Sequence, residues 1–350
     1  MGVVHLHTRY IAHDVCGADS GVIHYASTRN NAVALMFSCA VARKQFVAVS
    51  VGGMPECSLV VSTPDPEFQM RRLFPIALML IAAGTTPLSA QQVAVTDEAG
   101  RMHALHQHDA PVPSGAVQPP RAEVVSDTVV YGTVDGKQLT GFRSRPKSAK
   151  KDAPGIVVVH EWWGLNDNIR AATERLAGEG YVALAVDLYG GKVATTPDSA
   201  TALMRAASGN TEGNRANLAA AIDFLRSAGA KRVGTIGWCF GGRWSLQAGL
   251  VGGSKVQAVV MYYGSPITEP AQLQELRAPL LGLFGSQDSG IPVDSVKAMA
   301  AVLDSLGKNE TVEFFDAGHG FANPSGRNYN AAAAEAAWKR TTEFYAHYLK

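Results

Sequence analysis

Cysteine is scarce in this chain: four in 350 residues, with Cys16, Cys39 and Cys57 all inside the first 69. Beyond residue 69 a single thiol, Cys239, has no partner for a structural bridge, and neither a Cys-x-x-Cys pair nor a resolving cysteine is present to support thiol exchange. An excess of charge of one sign is missing too. Lys and Arg number 31 against 30 for Asp and Glu, so there is no basic footprint for nucleic acid. His103, His106 and His108 form a short cluster without a companion acidic or cysteine set, which reads as a solvated tail rather than a metal tract. Nothing in the sequence implies a metal, a nucleotide or an organic cofactor.

What is present is a globular composition with 47% apolar residues and 35 glycines. Residues 1–69 carry no motif with a mechanism. Met70-Arg71-Arg72 then leads into an apolar run from Leu73 to Ala83 and a small-residue exit through Ala90. This is the layout of a secretory signal peptide over 70–90. The run is too short for a membrane span of about 20 residues. A signal beginning at residue 70 implies that 1–69 is an over-extended reading of the gene, that the mature protein starts near Gln91, and that it is periplasmic or secreted, with no membrane contact after cleavage. Residues 91–126, with Pro111, Pro113, Pro119 and Pro120, read as a disordered linker.

From residue 127 to 350 the pattern is regular. Thr128–Val134 alternates as a strand, Asp135-Gly136 signals a hairpin, and Ile156–Val159 is an apolar run fit for a central parallel strand. Helical stretches near 168–178, 199–207, 216–227, 293–306 and 331–348 alternate with strands near 181–186, 256–263, 280–284 and 311–315. Strands alternating with helices predict an α/β fold, a mostly parallel central sheet flanked by helices on both faces, with ligands at the carboxyl ends of the strands.

The organising stretch is Arg232–Gly249. Val233, Ile236 and Trp238 suit a buried strand, and a helical run follows Phe240-Gly241-Gly242. Gly237 and Gly241 flank Cys239 where a sharp strand-to-helix turn would crowd side chains, the geometry of a nucleophile elbow. Asp288 follows the apolar strand Leu281–Phe284, and His319 lies between two glycines after Phe314-Phe315. Nucleophile, acid and histidine in that order match an α/β-hydrolase sheet. Asp316 is the rival acid, but it lies three residues from His319.

Gly237-Trp238-Cys239-Phe240-Gly241-Gly242, the run Val159–Asn166, Asp187-Leu188-Tyr189 and Gly318-His319-Gly320-Phe321 together resemble the dienelactone hydrolase family, over about 127–350. The resemblance implies an α/β-hydrolase fold, a Cys239, Asp288, His319 triad, an oxyanion hole from the backbone amides of Trp162 and Phe240, and a Glu161 that holds the resting thiol and yields to substrate. It implies hydrolysis of a small-molecule ester or lactone through a Cys239 acyl-enzyme. Dienelactone-opening members carry two arginines that clamp a substrate carboxylate. Gly191 and Asn323 stand in those places, and Lys192 and Arg327 fall off the motif, so a neutral or bulkier ester is expected. A thiol redox or peroxide-responsive protein, and a non-catalytic binding protein on the same fold, are the alternatives.

Overall fold

The structure, a computed structural model, describes residues 98–109 and 118–350 and, earlier in the chain, the backbone of five strands. It separates into two compact units, 1–87 and 88–350. In the first, β1 (Thr8–Tyr10), β2 (Gly21–Ser27), β3 (Val33–Cys39), β4 (Lys44–Ser50) and β5 (Ser58–Ser62) pair antiparallel in sequential order. The apolar runs near residues 32–37 and 46–51 largely coincide with β3 and β4. The expected signal segment, 70–90, lies outside the described residues.

The second unit begins with helix α1 (Glu98–His106) and continues with β6 (Val124–Val134), β7 (Lys137–Pro146), β8 (Gly155–Val159), α2 (Asp167–Gly178), β9 (Val182–Val186), α3 (Pro197–Gly209) and α4 (Thr211–Ser227). Then come β10 (Val233–Trp238), α5 (Phe240–Gly252), β11 (Ala258–Tyr262), α6 (Pro270–Leu273), β12 (Leu280–Gly285), α7 (Val293–Ser305), β13 (Glu310–Phe315) and α8 (Ala331–Leu349). The eight strands are ordered β13-β12-β11-β10-β8-β9-β7-β6. The β6–β7 hairpin and the β7–β9 pairing are antiparallel, and all other pairings are parallel.

Local chemistry explains these elements. Every residue of β8, β10, β11 and β12 is buried, as expected for strands covered on both faces, and each is a nearly unbroken apolar run. Asp135 and Gly136 both take positive φ, 49° and 74°, the turn whose twist matches its flanking strands. Asn166 and Asn330 accept from the third amide of α2 and α8, and Thr196 and Ser199 form a reciprocal cap on α3. The helices α2 and α8 meet each other through Arg175, whose guanidinium lies 4.1 Å over the Trp338 ring and bonds Glu335. The pair α4 and α5 packs together against β8 and β10.

Residues 91–126 depart from the expected disordered linker in two places. Nine of them form α1, and β6 already starts at Val124. The buried face of α1 is Ala99, Met102 and His106, at the i, i+3, i+7 spacing of a helix stripe. His106 is therefore not part of a solvated tail: it is 7% exposed and packed into the domain. Among the described residues no helix is long and apolar enough to cross a membrane.

Candidate active site

The strand-to-helix corner at the end of β10 is as tight as the glycine spacing suggests. A Cβ on Gly237 would lie 2.0 Å from the Gly241 carbonyl oxygen, and one on Gly241 would lie 2.3 Å from the carbonyl of Val159. Both approaches are to backbone, which cannot step aside. Cys239 takes φ 55°, ψ −120°, a conformation that non-glycine residues hold only when their surroundings impose it. The thiol is thereby lifted off the sheet at the start of α5. The Phe240 backbone amide donates toward its sulfur and favours the thiolate, but burial is the larger effect and pushes the thiol well above its usual range, with the charge of Glu161 adding to it.

The structure brings Asp288 and His319 to the same place from the ends of β12 and β13. His319 Nδ1 lies 2.7 Å from Asp288 Oδ2, and the other carboxylate oxygen accepts from the Gly290 and Ile291 amides at 2.8 Å each. Those contacts fix the carboxylate, and the carboxylate fixes the ring. His319 Nε2 is buried without a hydrogen-bond partner, and a ring nitrogen of His319 lies within 4.8 Å of Cys239 Sγ. Asp316, the rival acid, is exposed and accepts from Gln287 at 2.6 Å.

Around this group lie the remaining expected residues. His160 accepts from the Leu188 amide through Nε2, so its proton sits on Nδ1 and is donated to the Glu161 carbonyl at 2.6 Å. A turn from the Glu161 carbonyl to the Gly164 amide carries Trp162, whose side chain is buried. Glu161 is also buried, yet its carboxylate does not bond the thiol. It accepts from Tyr263 at 3.3 Å and from Asn323 at 2.6 Å, while the thiol's contact is Met102 Sδ at 3.5 Å. Asn323, in one of the two family arginine positions, is thus engaged with Glu161, and the Gly191 amide, in the other, donates to Asp187. Lys192 and Arg327 are exposed.

Desolvation lifts the Glu161 carboxyl from 4.5 to about 7, with the Tyr263 hydrogen bond opposing. A folded-state pKa above the unfolded one means that stability is complete below pH 4.5 and falls as pH rises to about 7. The change is about 3 kcal/mol. Glu161→Gln keeps the shape and removes the titration, because its amide can donate to the Tyr263 hydroxyl and its oxygen can accept from Asn323. Denaturant unfolding at pH 5 and pH 8 should then show the variant gaining on wild type by roughly that amount at the higher pH. An unchanged difference would remove Glu161 as the titrating group.

Two residues near the thiol were not expected from the sequence. Besides Met102, α1 brings in His106, whose Nδ1 lies 2.7 Å from Asp109 Oδ2 and whose ring stands 4.9 Å from Trp162 and 5.3 Å from His319. Burial lowers the His106 pKa, so the ring is neutral near neutral pH. The signal available was the histidine at helical spacing from Ala99 and Met102, with an aspartate three residues on. Helix α1 also seats Leu105 against Gly290, in the loop that holds Asp288.

Comparison with known proteins gives this geometry a family. The family model described as "Dienelactone hydrolase family" matches residues 139–349. The "Putative carboxymethylenebutenolidase" of Escherichia coli (strain K12) is 30% identical over 276 residues, covering 68% of this chain and 93% of its own length. Protein usf of Aquifex pyrophilus is 31% identical over 224 residues, 61% of this chain and 96% of its own. Among solved structures, the "Putative Dienelactone Hydrolase" of Klebsiella pneumoniae subsp. pneumoniae MGH 78578 superposes with a TM-score of 0.58 at 25% identity, over 65% of this chain and all of that one. With the match running from β7 to the last helix, the chain belongs to the dienelactone hydrolase family and is a carboxylic ester hydrolase.

Proposed function

We propose that this hydrolase works through a Cys239 acyl-enzyme, with His319 carrying the proton and Asp288 anchoring His319. One observation carries the reading: His319 commits Nδ1 to a buried carboxylate, which leaves Nε2 free beside a thiol held on a strained corner. Because burial keeps the resting thiol protonated, Nε2 takes the proton as sulfur attacks rather than waiting for a preformed thiolate. The bond from Sγ to the carbonyl carbon forms while the carbonyl electron pair moves onto oxygen. The Trp162 and Phe240 amides receive that oxyanion, being fixed before the charge develops. Collapse expels the alcohol, or opens the lactone, with His319 returning its proton to the leaving oxygen. Water then attacks the acyl carbon, gives a proton to His319, and the acid departs as the thiol is restored.

Glu161 acts here through charge rather than by gripping the sulfur. Its carboxylate disfavours the thiolate at rest, and its bonds to Tyr263 and Asn323 hold it ready to shift when a substrate enters. Acylation also requires the Met102 side chain to leave the sulfur, since the thiol is only 3% exposed. With Asn323 and Gly191 in place of a cationic clamp, the substrate class is a neutral ester or lactone. The apolar run and small-residue exit over 70–90 support a periplasmic or secreted enzyme.

The acyl-enzyme can be caught directly. Wild type mixed with excess nitrophenyl ester and quenched in acid should carry one acyl group per chain, mapped by mass spectrometry to the peptide holding Cys239. Turnover with no adduct, or an adduct elsewhere, would overturn the scheme.

A further inference from the structure

We propose that His106, His319, Cys239 and Met102 together form a binding site for a soft transition-metal ion, with copper(I) the ion the donors fit, and that occupancy closes the thiol to acylation. The donor atoms are already gathered. Single ligand atoms of His106, Cys239 and His319 lie within 4.8 Å of one another, and all three residues are buried. Met102 Sδ is 3.5 Å from Cys239 Sγ. Four donors around one ion at metal–nitrogen and metal–sulfur distances of about 2.0 to 2.3 Å stand roughly 3.3 to 3.8 Å apart. The sulfur pair is at that separation now, and the two imidazoles and the thiol need to close by about 1.5 Å at most.

The second coordination layer is the stronger argument. Each imidazole has Nδ1 at 2.7 Å from its own carboxylate, Asp109 for His106 and Asp288 for His319. Each has a buried Nε2 with no hydrogen-bond partner. A metal-ligating histidine has that arrangement: one nitrogen held by a carboxylate that fixes ring and tautomer, the other bare toward the ion. One such pair is explained by the triad. The second, supplied by α1, has no part in the hydrolytic scheme, and one of its ring nitrogens lies within 4.8 Å of the same sulfur.

Donor chemistry then selects the ion. Thiolate and thioether are soft ligands that favour copper(I), while imidazole serves it as well, and two imidazoles with a cysteine and a methionine form a copper-type set. Binding is a displacement without electron transfer: the Cys239 S–H bond breaks, its proton goes to solvent, and a sulfur–copper bond forms. Since the bound ion takes the lone pairs of both Cys239 and His319, acylation and metal binding exclude each other. Binding itself is read without any hydrolysis, so its failure and that of the acyl-enzyme reading are separable.

The test titrates the full chain, anaerobically, with copper(I) supplied as its bicinchoninate complex. Wild type should withdraw one copper per chain. Cys239→Ser should lose this binding, and His106→Phe, which keeps a ring against Trp162 but no ligand atom, should weaken it by about 100-fold or more. Circular dichroism establishes that both variants are folded. X-ray absorption at the copper edge of the wild-type complex supplies a measurement that needs no variant, with two sulfur and two nitrogen neighbours expected. Failure of wild type to compete for copper, equal binding by wild type and His106→Phe, or a shell without imidazole nitrogen would overturn the proposal.

Discussion

Replacing Cys239 with alanine is expected to lower kcat for ester hydrolysis by about 10⁴-fold or more, with no recovery at any pH. The loss corresponds to roughly 5 kcal/mol of transition-state stabilisation or more, because the proposed scheme then lacks the atom that bonds the acyl carbon. On the same scheme, what survives is whatever the proposed amide pair of Trp162 and Phe240 contributes to the attack of water. Folding should barely change: alanine at φ 55° is about as strained as cysteine, and the surrounding turn is imposed by Gly237 and Gly241 rather than by the thiol. Steady-state rates on a nitrophenyl ester, alongside thermal melts of both proteins, check this. A loss below tenfold with an unchanged melting temperature would mean that another group is the nucleophile.

That expectation rests on residues legible in the sequence alone. The centre of the sheet was legible because β8 is an unbroken apolar run and β10 is interrupted only by Thr235, which leaves little choice but strands buried on both sides. The positions of Cys239, Asp288 and His319 were legible for a related reason: the first two follow buried strands and the third follows Phe314-Phe315, so each could be placed at a strand end, and the parallel sheet gathers those ends on one edge. Helix α1 was not legible. Its buried stripe is only Ala99, Met102 and His106, and a histidine there carries the same sequence signature whether it faces solvent or a thiol. Its place is decided by tertiary partners far along the chain, such as Ser265 bonding Glu98 and Asp198 bonding His103. Asn323 was half legible. The sequence marked the missing arginine, but only packing reveals that its amide is taken by Glu161.

The second large effect belongs to Asp288→Asn, and the carboxylate's own contacts dictate it. Oδ1 accepts from two backbone amides, Gly290 and Ile291, at 2.8 Å each, and only an oxygen can fill that role. In the asparagine variant the amide oxygen therefore goes there, and the NH2 group is turned toward His319. An NH2 group donates, so His319 Nδ1 must become the acceptor and its proton must move to Nε2. The nitrogen beside the thiol is then already protonated and can no longer remove a proton from sulfur. On the proposed scheme this keeps the shape of the site and switches off the base, so kcat should fall by about 10³- to 10⁴-fold with KM little changed. Unlike the alanine variant, this one should regain activity as pH rises toward the raised pKa of the buried thiol, because a thiolate needs no base for the attack itself. A pH–rate profile that stays flat, or a deficit below tenfold near neutrality, would separate Asp288 from the proton path and leave His319 to be oriented by some other group.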